Sequence, residues 1–250
     1  MMKTILKQLK NGLLVSCQPQ PGTALSGSEI MSIMAIAAEK GGAVGLRANG
    51  PADIRAIKQV SSLPLVGVNK VYKGIPTAAD VIITPSYEAA VEIIEAGCDI
   101  LGIDCTARGR SYDDVNRIIE AIKKHYPDIP IMADISTLEE GIMAAKMGVD
   151  ILSTTLSGYT NTSLGMSEEE ARNFSRYPSG QEPLPDFQLI SDLRKHCDLL
   201  INAEGRFWEI AEIQKAFTSS ADMLTVGTAI TSPQLITKRF VTAINEISPK

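Results

Sequence analysis

The chain is poor in histidine and cysteine, and these shortages exclude several classes of protein. It has only 2 histidines among 250 residues, and its 4 cysteines (Cys17, Cys98, Cys105 and Cys197) are far apart, with no Cys-x-x-Cys pair. This spacing fits neither a zinc site nor a disulfide framework, so we expect reduced thiols, no metal and a cytoplasmic protein. The turn Gly-x-Gly-x-x-Gly is also missing, which argues against a dinucleotide-binding fold and a nucleotide cofactor.

Long apolar runs and an excess of positive charge are missing as well. No stretch approaches the ~20 consecutive apolar residues that a membrane-spanning helix needs. The residues before Cys17 do not form a signal peptide, because Lys7, Lys10 and Asn11 interrupt them. The net charge of −5 argues against a nucleic-acid or anionic-membrane surface. We therefore expect neither partner, and any anionic ligand must be held by a local site.

The sequence does contain a regular alternation of short apolar runs with longer helical patterns. The runs predict strands at residues 12–16, 43–47, 64–70, 99–104, 130–134, 150–155, 199–204 and 223–227. Several of the helical patterns end on a glycine, and a strand follows at once. Strands that are apolar throughout are typical of a parallel sheet covered by helices. We predict a single-domain (β/α)₈ barrel over residues 1–250 with a short N-terminal helix, and an open doubly wound sheet is the alternative.

Two segments depart from this alternation. Residues 81–84 could form a strand, but they lie between the third strand and its helix, so we predict that they extend the third loop. Residues 157–185 form a long polar insertion after the sixth strand. Within it, residues 167–170 predict a capping box for a short helix. Connections of this length are often lids or interface elements, and we predict a lid or a subunit contact.

Polar and charged residues stand at the ends of the predicted strands. In a barrel the C-terminal strand ends converge on one mouth, so these residues become neighbours. A salt bridge at the barrel rim would explain any one of them, but seven convergent ends favour a functional site. Asp104 is the weakest candidate, because an aspartate in such a loop often caps the next helix. The set is Gln18, Arg47, Lys70, Asp104, Asp134, Thr155 and Glu204.

Lys70 is the strongest catalytic candidate, because a cation at the end of a buried strand has no packing role. A lysine in a partly desolvated pocket loses some preference for its charged form and can act as a base near neutral pH. With Glu204 on a facing strand, Lys70 predicts proton transfer at a carbon next to a carbonyl. A Schiff base, as in a class I aldolase, is the alternative chemistry. A non-catalytic ligand-binding barrel is the alternative class of protein.

Glycine-containing turns after the seventh and eighth strands predict a phosphate site. Barrel enzymes commonly bind phosphate with these two loops and the N-terminus of a following helix. An ordinary turn with a helix cap is the alternative interpretation. The residues concerned are Gly205, Arg206, Gly227, Thr228 and Ala229.

Six motifs resemble, in order, those of the N-acetylmannosamine-6-phosphate 2-epimerase family. They are GLLVSCQ at 12–18, GAVGLR at 42–47, IMAD at 131–134, TTLSGYT at 154–160, AEG at 203–205 and VGTAIT at 226–231. The resemblance extends from residue 12 to about residue 240. It implies a (β/α)₈ barrel that interconverts N-acetylmannosamine 6-phosphate and N-acetylglucosamine 6-phosphate in sialic-acid catabolism.

The resemblance also implies roles for individual residues. Lys70 becomes the catalytic lysine and Glu204 the catalytic carboxylate, and the loop at Gly227 becomes part of the phosphate site. The sequence departs from the family pattern after the lysine, where Val71-Tyr72 replaces Arg-Asp, and at Ser232, where an arginine is typical. We expect a phosphosugar substrate, no cofactor and an enzyme that can form a homodimer. The substrate-contacting candidates are Gln18, Arg47, Asp134, Thr155 and Tyr159.

Overall fold

The structure, a computed structural model, describes residues 4–18, 23–72, 74–174 and 184–247. Its eight parallel strands close into a barrel in chain order, and β1 pairs with β8 through Leu13 and Leu224. The predicted (β/α)₈ barrel is therefore confirmed. The strands are β1 (Leu13–Cys17), β2 (Gly45–Asn49), β3 (Leu65–Val68), β4 (Ile100–Asp104), β5 (Ile131–Asp134), β6 (Ile151–Ser153), β7 (Leu200–Glu204) and β8 (Met223–Val226).

Helices surround the barrel, and α1 is the short N-terminal helix that the sequence predicts. The sequence explains the helices locally. In α5, for example, Val115, Ile119 and Ile122 form the buried stripe, at the spacing of a helix face. The helices are α1 (Thr4–Leu9), α2 (Ser28–Lys40), α3 (Pro51–Lys58), α4 (Tyr87–Glu95), α5 (Tyr112–His125), α6 (Leu138–Lys146), α7 (Asn161–Leu164), α8 (Glu168–Arg172), α9 (Phe187–His196), α10 (Ile210–Thr218), α11 (Thr228–Thr231) and α12 (Pro233–Ile247).

The apolar core is divided between the outside and the inside of the barrel. The larger cluster lies between the strands and the helices. A second cluster joins Leu6 and Leu9 of α1 to strand residues such as Leu14, Val66 and Met132. Leu9 is fully buried, so α1 closes the N-terminal end of the barrel. Because apolar side chains fill that end, the opposite mouth is left for polar groups.

Three predicted strand ends differ from the structure by two residues, and each of these corrections concerns a candidate residue. Arg47 does not end its strand, because β2 continues to Asn49 and pairs with β3 as far as Val68. Lys70 lies beyond the end of β3 (Leu65–Val68). Residues 154–156, including Thr155, form a 3₁₀ turn instead of continuing β6. In each case the runs of apolar sequence do not show where pairing with the neighbouring strand stops.

Residues 81–84 extend the third loop, as predicted. They run antiparallel to the residues after β3, with one isolated bridge between Lys70 and Ile83. The Val71 N–H donates to the Ile82 carbonyl (2.9 Å), and the Thr84 N–H donates to the Asn69 carbonyl (2.8 Å). This short pairing holds the loop that carries Lys70.

The described residues of the insertion at 157–185 include two short helices, α7 and α8, which lie before residue 174. The predicted capping box is confirmed, because the Ser167 hydroxyl accepts from the Glu170 N–H and the Glu170 carboxylate accepts from the Ser167 N–H. Residues 175–183 lie outside the described residues. Within the described ranges, no helix has the length and apolar character needed to cross a bilayer.

Candidate active site

A cavity of about 400 Å³ opens at the C-terminal mouth of the barrel. The loops after β1, β3, β6, β7 and β8 line it, together with the first residues of α12. Its apolar wall includes Ile82, Leu156, Phe207 and Trp208. The predicted site residues on its wall are Gln18, Arg47, Lys70, Thr155, Tyr159, Glu204, Gly205, Arg206, Gly227 and Thr228.

Arg47 reaches across the barrel interior to two carboxylates. Its guanidinium donates to Asp134 through both terminal nitrogens (2.5 and 3.0 Å) and to Glu204 through Nη1 (2.8 Å). The Arg47 side chain is 1% exposed and that of Asp134 is 0% exposed. Burial by itself lowers the pKa of Arg47, but Asp134 and Glu204 raise it, so the net shift is upward. Arg47 is a fixed positive charge at the floor of the cavity.

Glu204 ends β7 and has one carboxylate oxygen surrounded by donors. Oε2 accepts from Arg47 Nη1 (2.8 Å) and Asn202 Nδ2 (3.2 Å), and the hydroxyl oxygens of Thr155 (3.1 Å) and Ser153 (3.3 Å) also lie within hydrogen-bond distance of it. Burial raises the pKa of Glu204, while the charges of Arg47 and Lys70 act to lower it. The opposing effects leave a carboxyl group whose protonation is sensitive to its neighbours.

The backbone of Lys70 is held in place from two sides. Its N–H donates to the side-chain oxygen of Asn49 (2.8 Å), which ends β2. On the other side Lys70 forms the bridge to Ile83. The side chain is partly exposed and lines the same cavity as Glu204. The positive charge of Lys70 lowers the pKa of Glu204, so the two groups interact electrostatically.

The loops after β7 and β8 form the side of the cavity where the sequence predicts phosphate. Arg206 has a positive φ of 66°, and its Nη1 donates to the Ser157 carbonyl (2.7 Å). Its guanidinium carbon lies 5.8 Å from the centre of the Tyr159 ring. Gly227 precedes the short helix α11 and lies close to Ser16, since a Cβ at Gly227 would be 3.3 Å from the Ser16 Cβ.

Three sequence candidates lie outside the wall of this cavity. Asp134 is fully buried beneath it, where it accepts from Arg47 and Thr155. Asp104 is also fully buried and forms an ion pair with Arg108 (2.6 Å). The N-cap of α5 is Ser111, so Asp104 does not cap that helix either. Ala229 packs against the outer core instead. Strand-end position alone does not show which side chains reach the opening.

The sequence reasoning missed the polar residues just below the strand ends. Ser153, Asn202 and Thr225 are each at most 1% exposed. The sequence does contain a signal for Asn202, because side chains two residues apart on a strand share a face. Asn202 precedes Glu204 by two residues and therefore shares its face. It also missed the aromatic wall, which includes Tyr72 and Trp208. In the described ranges, no group of three or more His, Cys, Asp or Glu residues is arranged to hold a metal ion.

A parallel (β/α)₈ barrel with a lysine and a carboxylate at its C-terminal mouth defines the class of the protein, a barrel enzyme. Comparisons with known proteins identify the family. The family model described as "NanE: Putative N-acetylmannosamine-6-phosphate epimerase" matches residues 31–246. The "Putative N-acetylmannosamine-6-phosphate 2-epimerase" of Caldanaerobacter subterraneus subsp. tengcongensis is 45% identical over 251 residues, covering 98% of this chain and 96% of the relative.

Solved structures agree with this result. The N-acetylmannosamine-6-phosphate 2-epimerase from Clostridium perfringens is 37% identical, with a TM-score of 0.82 and 97% of each chain covered. A structure titled "QR15, an Aldolase" has a TM-score of 0.60 at 14% identity, which shows a shared fold alone. The chain belongs to the N-acetylmannosamine-6-phosphate epimerase family.

Proposed function

We propose that the protein interconverts N-acetylmannosamine 6-phosphate and N-acetylglucosamine 6-phosphate by removing and returning the proton on C2. The observation that carries the proposal is the cavity itself, which brings Lys70 and Glu204 together beside the loops after β7 and β8. Family membership supports the same reaction. The protein is an isomerase of the epimerase type.

Lys70 is the proposed base. The open-chain form of the sugar has its aldehyde next to C2, so removal of the C2 proton forms an enolate-like intermediate. A neutral lysine takes this proton and becomes an ammonium group, which can return a proton to the intermediate. Return of a proton to the opposite face inverts C2, and this requires either rotation of the intermediate past Lys70 or a second acid on that face. The bonds from the Lys70 backbone to Asn49 and Ile83 hold the base in place while this happens.

Glu204 and Arg47 are the proposed electrostatic part of the site. The charge of Arg47 is directed at Asp134 and at Oε2 of Glu204. Donors that are already in place stabilise developing charge with little reorganisation. We propose that Glu204 orients the substrate, with Gln18, Thr155 and Tyr159 as further contacts on the cavity wall. Asp134, which lies below the wall, acts through Arg47.

The substrate phosphate is assigned to the loops after β7 and β8. Arg206 supplies a positive charge there, and Gly205, Gly227 and Thr228 lie beside it on the cavity wall. Guanidinium groups bind phosphate strongly because their hydrogen bonds are charge-assisted. Ser232 of this chain occupies the position where an arginine is typical of the family. We therefore propose that Arg206 is the main positively charged residue that binds the phosphate.

The test uses NMR to measure exchange of the C2 hydrogen of N-acetylmannosamine 6-phosphate with deuterated solvent. Lys70→Met should abolish both exchange and epimerisation, because the base is removed while the length of the side chain is kept. Lys195→Met is the matched control, since Lys195 is an exposed residue of α9 (63% exposed side chain). Exchange that survives in Lys70→Met would refute the role of Lys70.

A Schiff base on Lys70 would give a different result. Borohydride added together with the substrate would then trap a covalent adduct on Lys70, which mass spectrometry would detect. With proton transfer as the chemistry, we expect no adduct. A wild-type protein that binds the phosphosugar without exchange would favour the non-catalytic barrel instead.

Location and assembly are part of the proposal. We propose a cytoplasmic enzyme, which agrees with the four buried free cysteines. We also propose a homodimer, and light scattering of the purified protein would then give twice the chain mass of 26.9 kDa. The 157–185 segment is proposed as a lid or subunit contact, because its residue Tyr159 lines the cavity.

A further inference from the structure

A chain of buried hydrogen bonds runs through the barrel at the floor of the cavity, which its members Thr155 and Thr225 line. Thr225 Oγ1 donates to Asn202 Oδ1 (2.9 Å), and Asn202 Nδ2 donates to Ser153 Oγ (2.7 Å). Ser153 Oγ lies 2.8 Å from Thr155 Oγ1, which in turn is 2.7 Å from Asp134 Oδ1. The residues come from β5, β6, β7, β8 and the 3₁₀ turn after β6.

The direction of this chain follows from the chemistry of its members. A carboxylate only accepts, whereas each hydroxyl has one hydrogen to donate. The shortest contacts assign the hydrogen of Thr155 to Asp134 (2.7 Å) and the hydrogen of Ser153 to Thr155 (2.8 Å). Arg47 and Asn202 are then the donors to Oε2 of Glu204. The amide of Asn202 has one tolerable orientation, because the reverse orientation would place its oxygen against the carboxylate of Glu204. In this orientation Thr225 donates to Oδ1 (2.9 Å) and satisfies the amide oxygen.

The chain also makes the two oxygens of Glu204 unequal. In the part of the chain that the structure describes, every hydrogen bond that this carboxylate accepts ends on Oε2. Oε1 accepts none of these bonds, and the residue lines the cavity. Oε1 is thus the oxygen available to a ligand.

We propose that Asn202 is a positioning residue for Glu204: held by Thr225, it fixes Oε2 and leaves Oε1 for the substrate. This inference deepens the proposed epimerase function and rests on it for the role of Glu204. Asn202 itself is fully buried and is not on the cavity wall.

The charged groups that face Glu204 determine what the loss of Asn202 does. Arg47 on β2 and Lys70 after β3 favour the ionised carboxylate, while Asp134 on β5 opposes it. Asn202 adds a neutral donor that stabilises the ionised form. Without this donor, the balance shifts towards protonation, and Glu204 should ionise at a higher pH.

The experiment follows the ionisation of Glu204 directly, by NMR of protein with ¹³C-labelled glutamate carboxyl groups. The signal that disappears in Glu204→Gln assigns Glu204. We expect Asn202→Leu to raise the pKa of Glu204 by about one unit, as the loss of a hydrogen bond to a charged group predicts. Thr225→Val should shift the pKa in the same direction by a smaller amount. Thr225→Ser, which keeps the hydroxyl, should retain the wild-type value.

Kinetics provide the second measurement. The deficit of Asn202→Leu in kcat/KM should be about tenfold at mildly acidic pH and should shrink as the pH rises and Glu204 ionises. A deficit in kcat/KM caused by general damage to the barrel would not shrink as the pH rises. If Asn202→Leu does not fold, the Thr225→Val and Thr225→Ser pair answers the question, because valine keeps the shape of threonine and serine keeps its hydroxyl.

The outcomes separate this inference from the function on which it rests. An unchanged Glu204 titration in folded Asn202→Leu and Thr225→Val would overturn the role of Asn202, even in an active epimerase. A wild-type protein without C2 exchange would overturn the proposed function, and the titration would still report whether Asn202 positions the carboxylate.

Discussion

The position of the Arg206 guanidinium depends on a glycine that lies next to it in space. Gly158 has a φ of +75°, and a Cβ built on it would lie 1.4 Å from Arg206 Nη1. The glycine therefore provides both a left-handed backbone and the space for a guanidinium. Arg206 in turn donates to the Ser157 carbonyl, so the loop after β6 and the loop after β7 determine the position of this cation together.

Gly158→Ala should displace Arg206 from its position and weaken binding of the sugar phosphate. We expect KM for N-acetylmannosamine 6-phosphate to rise by roughly tenfold, since a charge-assisted bond is typically worth ~1.5–3 kcal/mol. Gly165→Ala is the matched control, because Gly165 also has a positive φ (+65°) but no atom within 4 Å of its Cβ. Equal KM values in the two variants would remove Arg206 from the phosphate site.

The loops at the mouth are joined to one another by a buried ion pair. Asp104 at the end of β4 binds Arg108 (2.6 Å), and both side chains are at most 2% exposed. Arg108 Nη1 also donates to the Ala78 carbonyl (3.1 Å). The N–H of Ala78 donates to the carbonyls of Ala171 and Phe174. The loop after β3, which carries Lys70, is thereby attached to the α7–α8 region.

Arg108→Met should lower the free energy of unfolding by about 3 kcal/mol, because it leaves the buried charge of Asp104 without its main partner. Arg110 remains near Asp104 (3.6 Å), which keeps the cost at the lower end of the usual range. Urea denaturation followed by circular dichroism gives the measurement.

Arg172→Met is the matched control for this ion pair. Arg172 forms an exposed pair with Glu168, with side chains 69% and 75% exposed. Exposed pairs contribute less than about 1 kcal/mol. Equal losses in the two variants would show that the Asp104–Arg108 pair does not stabilise these loops.

The whole molecule protects its thiols by burial. The four cysteines are buried and free. Burial raises the pKa of Cys17 and of Cys98 to about 12. It raises the pKa of Cys105 and Cys197 as well. Since the thiolate is the reactive form, a raised pKa and lack of access both suppress reaction.

Native protein at about pH 8 should therefore react only slowly with a thiol reagent, whereas protein in denaturant should show the thiols of all 4 cysteines at once. The release of colour from an aromatic disulfide reagent measures both rates. Modification of the native protein should follow opening of the fold and slow down when substrate is added. Rapid reaction of a native thiol would contradict the burial.

The order of strands and helices was predictable because local patterns encode it. Fully apolar runs are the signature of strands buried on both faces, and each of the eight runs overlaps a strand of the barrel. Lys70 was predictable for the same reason, since a cation stands out beside such a run. The strand ends were not predictable, because hydrogen bonding to the neighbouring strand decides where a strand stops. At the end of β3, for example, the Lys70 N–H donates to the side chain of Asn49.

By itself the sequence determined the parallel barrel, the family and the residues that converge at one mouth, because apolar periodicity and short motifs are local properties of the chain. Only the tertiary structure decided which of those residues reach the cavity. Asp134 lies beneath Arg47, and Asn202 holds one oxygen of Glu204. These relations join strands far apart in the chain, and closure of the barrel is the physical event that brings them together.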